Sequence, residues 1–281
     1  SGVREGPARG AGAPRTHGGG GEIVAEGKIR LVVRADDAGS VAEANWGVRQ
    51  CVEAGTVRNV SLMATGWALS EAAWHLCRET LAPRADVAVG LHVCLNAEWE
   101  GCPFRPVLPP DRVPSLVTDA GHFLPMPGDL KARGFSVDEA MAEVAAQCAQ
   151  LRKSGFVLSY LDEHCGVGWI SDELTARLAA FCQSQGLIYA TRLLPGLPGE
   201  GLDFAARVRQ APTGDYLLVA HPIVGDLSGL SRYLHLRGEP ADGSVARERD
   251  AERAVLSRPE LFQELTDAGA MLVSYPEIFT Q

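Results

Sequence analysis

Acidic and histidine side chains come directly after four apolar runs of this sequence. The four groups are Asp36-Asp37, His92, Asp162-Glu163-His164 and His221. Carboxylate oxygens and imidazole nitrogens are ligands that borderline divalent metals take in proteins. One carboxylate and two imidazoles would leave coordination positions open for water and substrate. The pattern therefore predicts a divalent metal site, with Zn²⁺ expected first and Mg²⁺, Ni²⁺ or Co²⁺ as alternatives.

Such a site contains the groups needed to hydrolyse an amide or an ester. A divalent ion polarises the carbonyl group and lowers the pKa of its bound water. A second carboxylate beside that water can remove its proton. A histidine across the site can protonate the leaving group, because its pKa lies near neutrality. The residue types alone do not say which carboxylate binds the metal and which acts as the base.

Each group also has an ordinary structural explanation when it is taken alone. Asp36-Asp37 could cap a helix, because Asp accepts hydrogen bonds from the free amides of a first helical turn. His92 and His221 are each more typical of packed histidines than of ligands. Asp162-Glu163-His164 is a stronger signal, since burying three ionisable groups without partners would cost several kcal/mol. The prediction depends on the four groups meeting at one place.

The elements that would bring them together alternate between strand and helix. Apolar and β-branched runs predict strands at residues 29–34, 57–63, 87–93, 156–161, 187–191, 216–220 and 270–275. Helical periodicity predicts helices at residues 42–54, 70–78, 137–153, 171–185 and 247–268. This alternation indicates βαβ units and a parallel sheet, either an α/β barrel or an open α/β sheet. The carboxyl ends of such strands share one rim, where active sites are built.

Two segments depart from this alternation. Residues 1–28 are rich in glycine and poor in apolar side chains, which predicts a flexible tail before a single domain at residues 29–281. Residues 96–134 contain seven prolines and predict a long loop. Loops of this length in a compact domain are often functional, and we expect this one to close over the substrate as a lid.

Composition narrows the partners and the compartment. The formal net charge of -9 argues against nucleic acid or an anionic membrane surface as a partner. The seven cysteines form no CxxC pair, which favours reduced thiols and a cytoplasmic location. The glycine-rich start does not have the pattern of a secretory signal. Composition leaves a homodimer open.

Several motifs, in their order, resemble the YdjC/ChbG-like carbohydrate deacetylases, from about Ile29 to Tyr275. The matching stretches are Ala35-Asp36-Asp37-Ala38-Gly39, Gly55-Thr-Val-Arg-Asn-Val-Ser-Leu-Met63, Gly90-Leu91-His92, Pro114-Ser115-Leu116, Leu161-Asp162-Glu163-His164 and His221-Pro222. Arg249 and Glu252 also fit the family pattern near the end of the chain. The resemblance implies a distorted TIM-like (β/α) barrel whose metal site lies at the carboxyl ends of the strands. It also implies that the substrate is an N-acetylated aminosugar.

The resemblance also implies a role for each residue of the site. Asp37, His92 and His164 would bind the metal ion, Asp36 would be the base, and His221 would be the acid. We expect further contacts to the substrate from four residues outside this set, some acting by orienting a ligand: Arg34, Glu163, His122 and Trp169.

Departures from the family pattern indicate a changed pocket. Glu163 stands where the family has Ser, Ile223 where it has Gly, and Cys165 where a further histidine is usual. Two alternatives therefore stay open beside aminosugar deacetylation. One is metal-dependent hydrolysis of a non-sugar acyl amide or ester, and the other is a non-catalytic binding protein that contains a metal ion.

Overall fold

A parallel sheet of seven strands forms the framework of the protein. The computed structural model describes residues 29–225, 229 and 233–279, so the tail predicted at residues 1–28 lies outside the described residues. The strands are β1 Ile29–Ala38, β2 Asn59–Leu62, β3 Ala88–Val93, β4 Tyr160–Glu163, β5 Ile188–Tyr189, β6 Gly214–Ala220 and β7 Ala270–Leu272. They follow the order β5-β4-β3-β2-β1-β6, and β7 also pairs with β1.

The sheet curls into a distorted barrel. One edge of β1 pairs with β6 along residues Ile29–Ala35. The other edge pairs with β7 along the first half of β1 and with β2 along its second half. A parallel bridge between Gly196 and Leu217 links the segment after β5 back to β6. The fold class predicted from the sequence, an α/β barrel of the distorted TIM-like kind, is confirmed.

Helices cover the outside of this sheet. They are α1 Ala42–Glu53, α2 Leu69–Ala72, α3 Pro127–Arg133, α4 Val137–Lys153, α5 Asp172–Gln185, α6 Phe204–Gln210, α7 Ser244–Leu256, α8 Leu261–Asp267 and α9 Tyr275–Phe279, and α2 continues as π-helix over Ala73–Leu81. Serine hydroxyls cap two of the longer ones, with Ser136 accepting from the Glu139 amide and Ser171 from the Leu174 amide. Among the described residues no helix combines the length and the apolar character that crossing a membrane requires.

Some predicted boundaries are wrong. The single helix predicted at residues 247–268 is two helices, α7 and α8, because Pro259 disfavours helical backbone at the residue before it. The fourth strand begins at Tyr160 and includes Asp162 and Glu163, whereas the sequence placed both residues after its end. The loop predicted at residues 96–134 contains α3 and a short 3₁₀ turn.

Two faces of the sheet have different roles. The outer face packs against the helices through a large apolar core that includes Val33, Leu62 and Leu91. A smaller apolar cluster around Tyr160 and Tyr275 lies on the inner face. Side chains alternate between the faces of a strand, so Arg34, Asp36, His92 and Asp162 share the inner face with Tyr160. The interior of the barrel thus holds the ionisable groups that were predicted to converge.

Candidate metal centre

The end of β1 is bent to present Asp37. The pairing of β1 with β2 shifts register between Ala35 and Ala38, and Asp37 adopts a positive φ of 63°. A non-glycine residue in this region is strained, and such strain concentrates at functional sites. The turn that follows is held by Asn45, whose Oδ1 accepts the Gly39 amide at 2.7 Å. The bulge lets both Asp36 and Asp37 reach the interior, although adjacent strand residues normally point to opposite faces.

Asp37, His92 and His164 converge at one point. Oδ1 of Asp37 lies 3.5 Å from Nε2 of His92 and 3.3 Å from Nδ1 of His164. The two imidazole nitrogens are 3.3 Å apart, and all three residues are buried. Oδ1 of Asp37 is a buried oxygen without a hydrogen-bond partner among the described residues. An oxygen and two nitrogens in this arrangement fit a divalent metal ion.

Each histidine is held from behind by a carboxylate. Nδ1 of His92 lies 3.0 Å from Asp162, and Nε2 of His164 lies 2.9 Å from Glu98. A carboxylate behind a ligand histidine fixes its tautomer and ring orientation and raises its basicity. Sequence analysis assigned no role to either carboxylate. The sequence could have indicated Asp162 as a partner carboxylate, because it lies two residues before His164. Glu98 lies in the long loop, where no sequence pattern indicated a contact with a histidine.

Arg34 lies between two buried carboxylates. Its guanidinium donates to both oxygens of Asp36, at 2.6 and 2.7 Å, and lies 2.7 Å from Asp162. Burial lowers the pKa of Arg34, but Asp162 and Asp36 raise it well above the ordinary value. The hydroxyl of Tyr275 is a further neighbour at 3.2 Å. The structure thus places Arg34 where it orients Asp36 and Asp162.

A second guanidinium reaches the site from α7. Arg249 donates to Oδ2 of Asp37 at 2.9 Å, and its side chain lies over the ring of Trp99 at 5.1 Å from the ring centre. Burial raises the pKa of Asp37, but His164, His92 and Arg249 together lower it well below the ordinary value. Asp37 is therefore a carboxylate with one oxygen paired and the other facing the two histidines.

His221 is positioned by its backbone. Its amide donates to Glu252 at 2.7 Å, and α1 packs closely against the next residue, since a Cβ on Gly47 would lie 2.4 Å from the Pro222 oxygen. Burial lowers the pKa of His221, and the charge of Asp37 opposes this shift. The imidazole is thus a neutral base at neutral pH, close enough to Asp37 to interact with it electrostatically.

The remaining predicted residues lie further out. Glu163 points to the outer face of β4, where it accepts hydrogen bonds from the Gly168 amide, at 2.6 Å, and from the Tyr189 hydroxyl. Trp169 is half exposed, with Lys131 over its ring at 5.2 Å. His122 lines a cavity of about 430 Å³ that also borders Glu98. The structure brings none of these three against the Asp37 cluster.

Two other clusters share residues with this centre but suit a metal ion less well. Asp36, His92 and Asp162 form one of them, and the guanidinium of Arg34 already occupies the space between its carboxylates. Glu98, His164 and Cys165 form the other. It would require Nε2 of His164 as a ligand, the nitrogen that Glu98 holds in place. In the cluster of Asp37, His92 and His164, the guanidinium of Arg249 pairs with Oδ2 of Asp37 and leaves Oδ1 facing the two histidines.

Comparison with known proteins gives the same family that the motifs indicated. The profile of the family described as YdjC-like protein matches residues 30–207. A carbohydrate deacetylase of Geobacillus stearothermophilus is 25% identical over 266 residues, which cover 88% of this chain and 97% of that protein. A carbohydrate deacetylase of Mus musculus is 33% identical over 129 residues, 45% of this chain and 38% of the mouse protein.

A solved structure confirms the fold. A putative cellobiose-phosphate cleavage protein from Enterococcus faecalis V583 superposes with a TM-score of 0.71 at 19% identity. The superposition covers 89% of this chain and 98% of that one. At this identity the likeness is one of architecture, and chemistry must be argued from the site.

Proposed function

The chain belongs to the YdjC-like protein family, and from this premise we propose that it is a metal-dependent deacetylase that hydrolyses the N-acetyl group of an aminosugar or of a compound containing one. The names of the relatives support the sugar substrate, and the chemistry of the site supports hydrolysis. Zn²⁺ is the metal we expect, because two imidazoles and one carboxylate suit it, with Mg²⁺, Ni²⁺ and Co²⁺ as alternatives.

The charge of the site carries the proposal. The carboxylates of Asp36, Asp37, Asp162 and Glu98 are buried together, and in the part of the chain that the structure describes the guanidinium groups of Arg34 and Arg249 are the fixed cations paired with them. Four negative charges against two positive charges leave an excess of two. Burial lowers the pKa of His92, but the charges of Asp162 and Asp36 raise it to about 10. In the metal-free protein the raised pKa values place the compensating protons on His92 and His164, and a divalent cation beside Oδ1 of Asp37 would take the place of these protons.

The residues divide the catalytic work between them. A divalent ion held by Asp37, His92 and His164 would supply a Lewis acid for the acetyl carbonyl and make a water acidic enough to react near neutral pH. Asp36 takes the proton from the attacking water, and Arg34 holds the Asp36 carboxylate in the orientation this requires. His221 gives a proton to the leaving amine. Because burial lowers its pKa, the imidazole must first take up a proton from solvent, and the protonated form is then a stronger acid than an exposed imidazolium.

The geometry refines the roles proposed for the outer residues. Arg34 and Glu163 act as positioning residues, the first on Asp36 and the second on the turn after β4. His122 remains a proposed substrate contact, since it lines a cavity next to Glu98. Trp169 is a proposed stacking surface for a sugar ring, with one face taken by Lys131.

The compartment and the assembly remain predictions. All seven cysteines are free thiols, as expected for the predicted cytoplasmic location. A homodimer is still compatible with the chain, and gel filtration with light scattering would measure it.

The test is release of acetate from a panel of N-acetylated substrates. Protein stripped by a chelator and then supplied with each metal should release acetate only when a metal is present. Asp36→Asn should bind the metal as the wild type does, yet lose turnover by about 10²-fold or more, because it removes the base alone. Including N-acetyl amino acids in the panel tests the non-sugar alternative. Full turnover by chelated protein would overturn the proposal.

A further inference from the structure

The thiol of Cys165 is exposed, and Cys165 directly follows His164 in the chain. Its sulfur, a carboxylate oxygen of Glu98 and a ring nitrogen of His164 lie within 4.8 Å of one another. We propose that Glu98, His164 and Cys165 form a second and weaker metal site, which takes a thiophilic divalent ion such as Zn²⁺ or Cd²⁺ and inhibits the enzyme when it is filled. The inhibition rests on the proposed function, whereas occupation of the site can be measured without turnover.

His164 faces the two sites with different ring nitrogens. Its Nδ1 lies 3.3 Å from Oδ1 of Asp37, and its Nε2 lies 3.0 and 2.9 Å from the two carboxylate oxygens of Glu98. The cluster around Asp37 and the cluster around Cys165 have this imidazole in common and no other residue. An ion in the second site therefore acts directly on a ligand of the first.

The turn after β4 presents the thiol to Glu98. Cys165 has a positive φ of 51° and Gly166 one of 60°, so the chain turns sharply directly after His164. The buried amide of Asn96 donates through Nδ2 to Sγ of Cys165 at 3.5 Å and to Oε2 of Glu98 at 3.2 Å. A single side chain thus holds the sulfur and the carboxylate beside each other.

The three donor types select the ion. Sulfur, imidazole nitrogen and carboxylate oxygen are the ligands that zinc takes in proteins, and a thiolate favours soft or borderline ions. Mg²⁺ prefers oxygen ligands and should not fill this site. The sulfur is also particular to this chain, since Cys165 stands where the family pattern has a histidine. Of the seven cysteines, all of which the structure describes, Cys165 is the exposed one.

The hydrogen bond from His164 to Glu98 explains why this site is the weaker one. When Nδ1 of His164 binds the first ion, Nε2 carries a hydrogen that it donates to Glu98. A second ion must replace this proton and the thiol proton, so both protons pass to solvent as the metal–nitrogen and metal–sulfur bonds form. Glu98 then no longer raises the basicity of His164, the first ion is held less firmly, and turnover falls.

Titration with Cd²⁺ tests the ligands directly, because a Cd²⁺–thiolate bond has a charge-transfer band in the ultraviolet. The chelated wild type should bind two ions in equilibrium dialysis, and the band should appear with the second. Cys165→Ser should bind one ion and show no band. Cys77→Ser is the matched control: it removes a half-buried thiol whose Sγ contacts the Gly155 oxygen, and it should bind two ions and keep the band. A wild type without the band, or the same band in Cys165→Ser, would overturn the site.

Alkylation tests the site in the unmodified chain. Mass spectrometry follows the reaction of the Cys165 thiol with iodoacetamide, and the Cys77 thiol is the internal reference. With Zn²⁺ at about ten times the Kd of the second site, the alkylation rate of Cys165 should fall about tenfold, because only the unoccupied site reacts. One equivalent of Zn²⁺, or an excess of Mg²⁺, should leave this rate unchanged. Equal rates at one equivalent and in excess Zn²⁺ would contradict the proposal.

Acetate release separates the second site from the proposed function. In the wild type the rate should rise with the first equivalent of Zn²⁺ and fall in excess, whereas Cys165→Ser should show no fall between one equivalent and excess. An undiminished wild-type rate with two ions bound would overturn the inhibition. If no substrate releases acetate but Cys165 binds the second ion, the deacetylase proposal fails and the site remains. If acetate is released but no thiolate band forms, the second site fails and the deacetylase proposal remains.

Discussion

The two histidines of the centre are oriented through opposite ring nitrogens. His92 faces Asp37 with Nε2 and Asp162 with Nδ1, whereas His164 faces Asp37 with Nδ1 and Glu98 with Nε2. Each ring therefore presents one nitrogen to the centre, and a carboxylate determines which nitrogen that is. The partner carboxylates should matter for metal affinity almost as much as the ligands themselves do.

Glu98→Gln should weaken metal binding. The amide keeps the size of the side chain and an acceptor for Nε2 of His164, but it removes the charge that makes the imidazole more basic. Metal affinity should fall by about 10–100-fold, measured by competition with a chromophoric chelator. Glu100→Gln, two residues away and exposed, is the matched control. If both variants bind the metal as the wild type does, Glu98 does not tune His164.

Arg34→Ala should destabilise the fold strongly. Asp36 and Asp162 would lose their shared counterion while remaining buried, which costs about 3–5 kcal/mol when one partner of a buried pair is removed. Arg30, four residues earlier on β1, pairs with Asp215 at the surface, where solvent screens the interaction. Arg30→Ala should therefore shift the urea unfolding midpoint far less. Equal shifts for the two variants would contradict the importance of the buried pair.

At the scale of elements, the alternation of strands with helices made much of the site predictable. His92 and Asp36 lie near the ends of strands that the sequence indicated, although β1 runs to Ala38 instead of ending at Arg34, and the shared rim of parallel strands brings the two residues together. The bulge at Asp37 was not predictable, because it depends on the pairing of β1 with β2. Glu163 was misplaced for a similar reason: it belongs to β4, so it points to the opposite face from Asp162.

The long loop at residues 96–134 is held in place by hydrogen bonds to side chains of α4. Glu143 is completely buried and accepts the amides of Val107 and Leu108 at 2.8 and 3.0 Å. One turn earlier, Glu139 accepts both the amide and the hydroxyl of Ser115. Neither attachment has a local sequence signal, because the residues are 24 or more positions apart. These bonds hold the described part of the loop in place, and motion as a lid would have to break them.

Glu143→Ala should loosen this loop without unfolding the barrel. Loss of the carboxylate leaves two partly buried amides without their acceptor, at a cost of up to about 1–3 kcal/mol for each. Hydrogen exchange of the Val107 and Leu108 amides should accelerate, while amides of β1 keep their protection. Asp138→Ala, on the exposed side of the same helix, should leave both regions unchanged. Unaltered exchange at Val107 would show that other contacts hold the loop.

At the scale of the whole molecule, the fold gathers more buried carboxylates than guanidinium groups to pair with them. The helices and the outer face of the sheet supply the apolar core, and the inner face contains the buried carboxylates with Arg34. Buried charges without counterions oppose folding. Stability of the whole barrel should therefore depend on a cation at its centre, even though the residues that bind it contribute little apolar packing.

Metal binding should accordingly raise the thermal midpoint of the whole domain. A ligand at 100 times its Kd stabilises the native state by about 2.7 kcal/mol, which for a domain of this size corresponds to a rise of about 5–10 °C. Calorimetry of chelated protein with and without added Zn²⁺ measures the shift. Asp37→Asn should abolish it because Oδ1 of Asp37 loses its charge, whereas Asp36→Asn should retain most of it, since Asp36 pairs with Arg34. A Zn²⁺ shift that persists in Asp37→Asn would place the ion elsewhere.

Comparing the shifts of the thermal midpoint given by Zn²⁺, Ni²⁺, Co²⁺ and Mg²⁺ then ranks the metals by affinity. A larger shift with Mg²⁺ than with Zn²⁺ would contradict a centre built on two imidazoles.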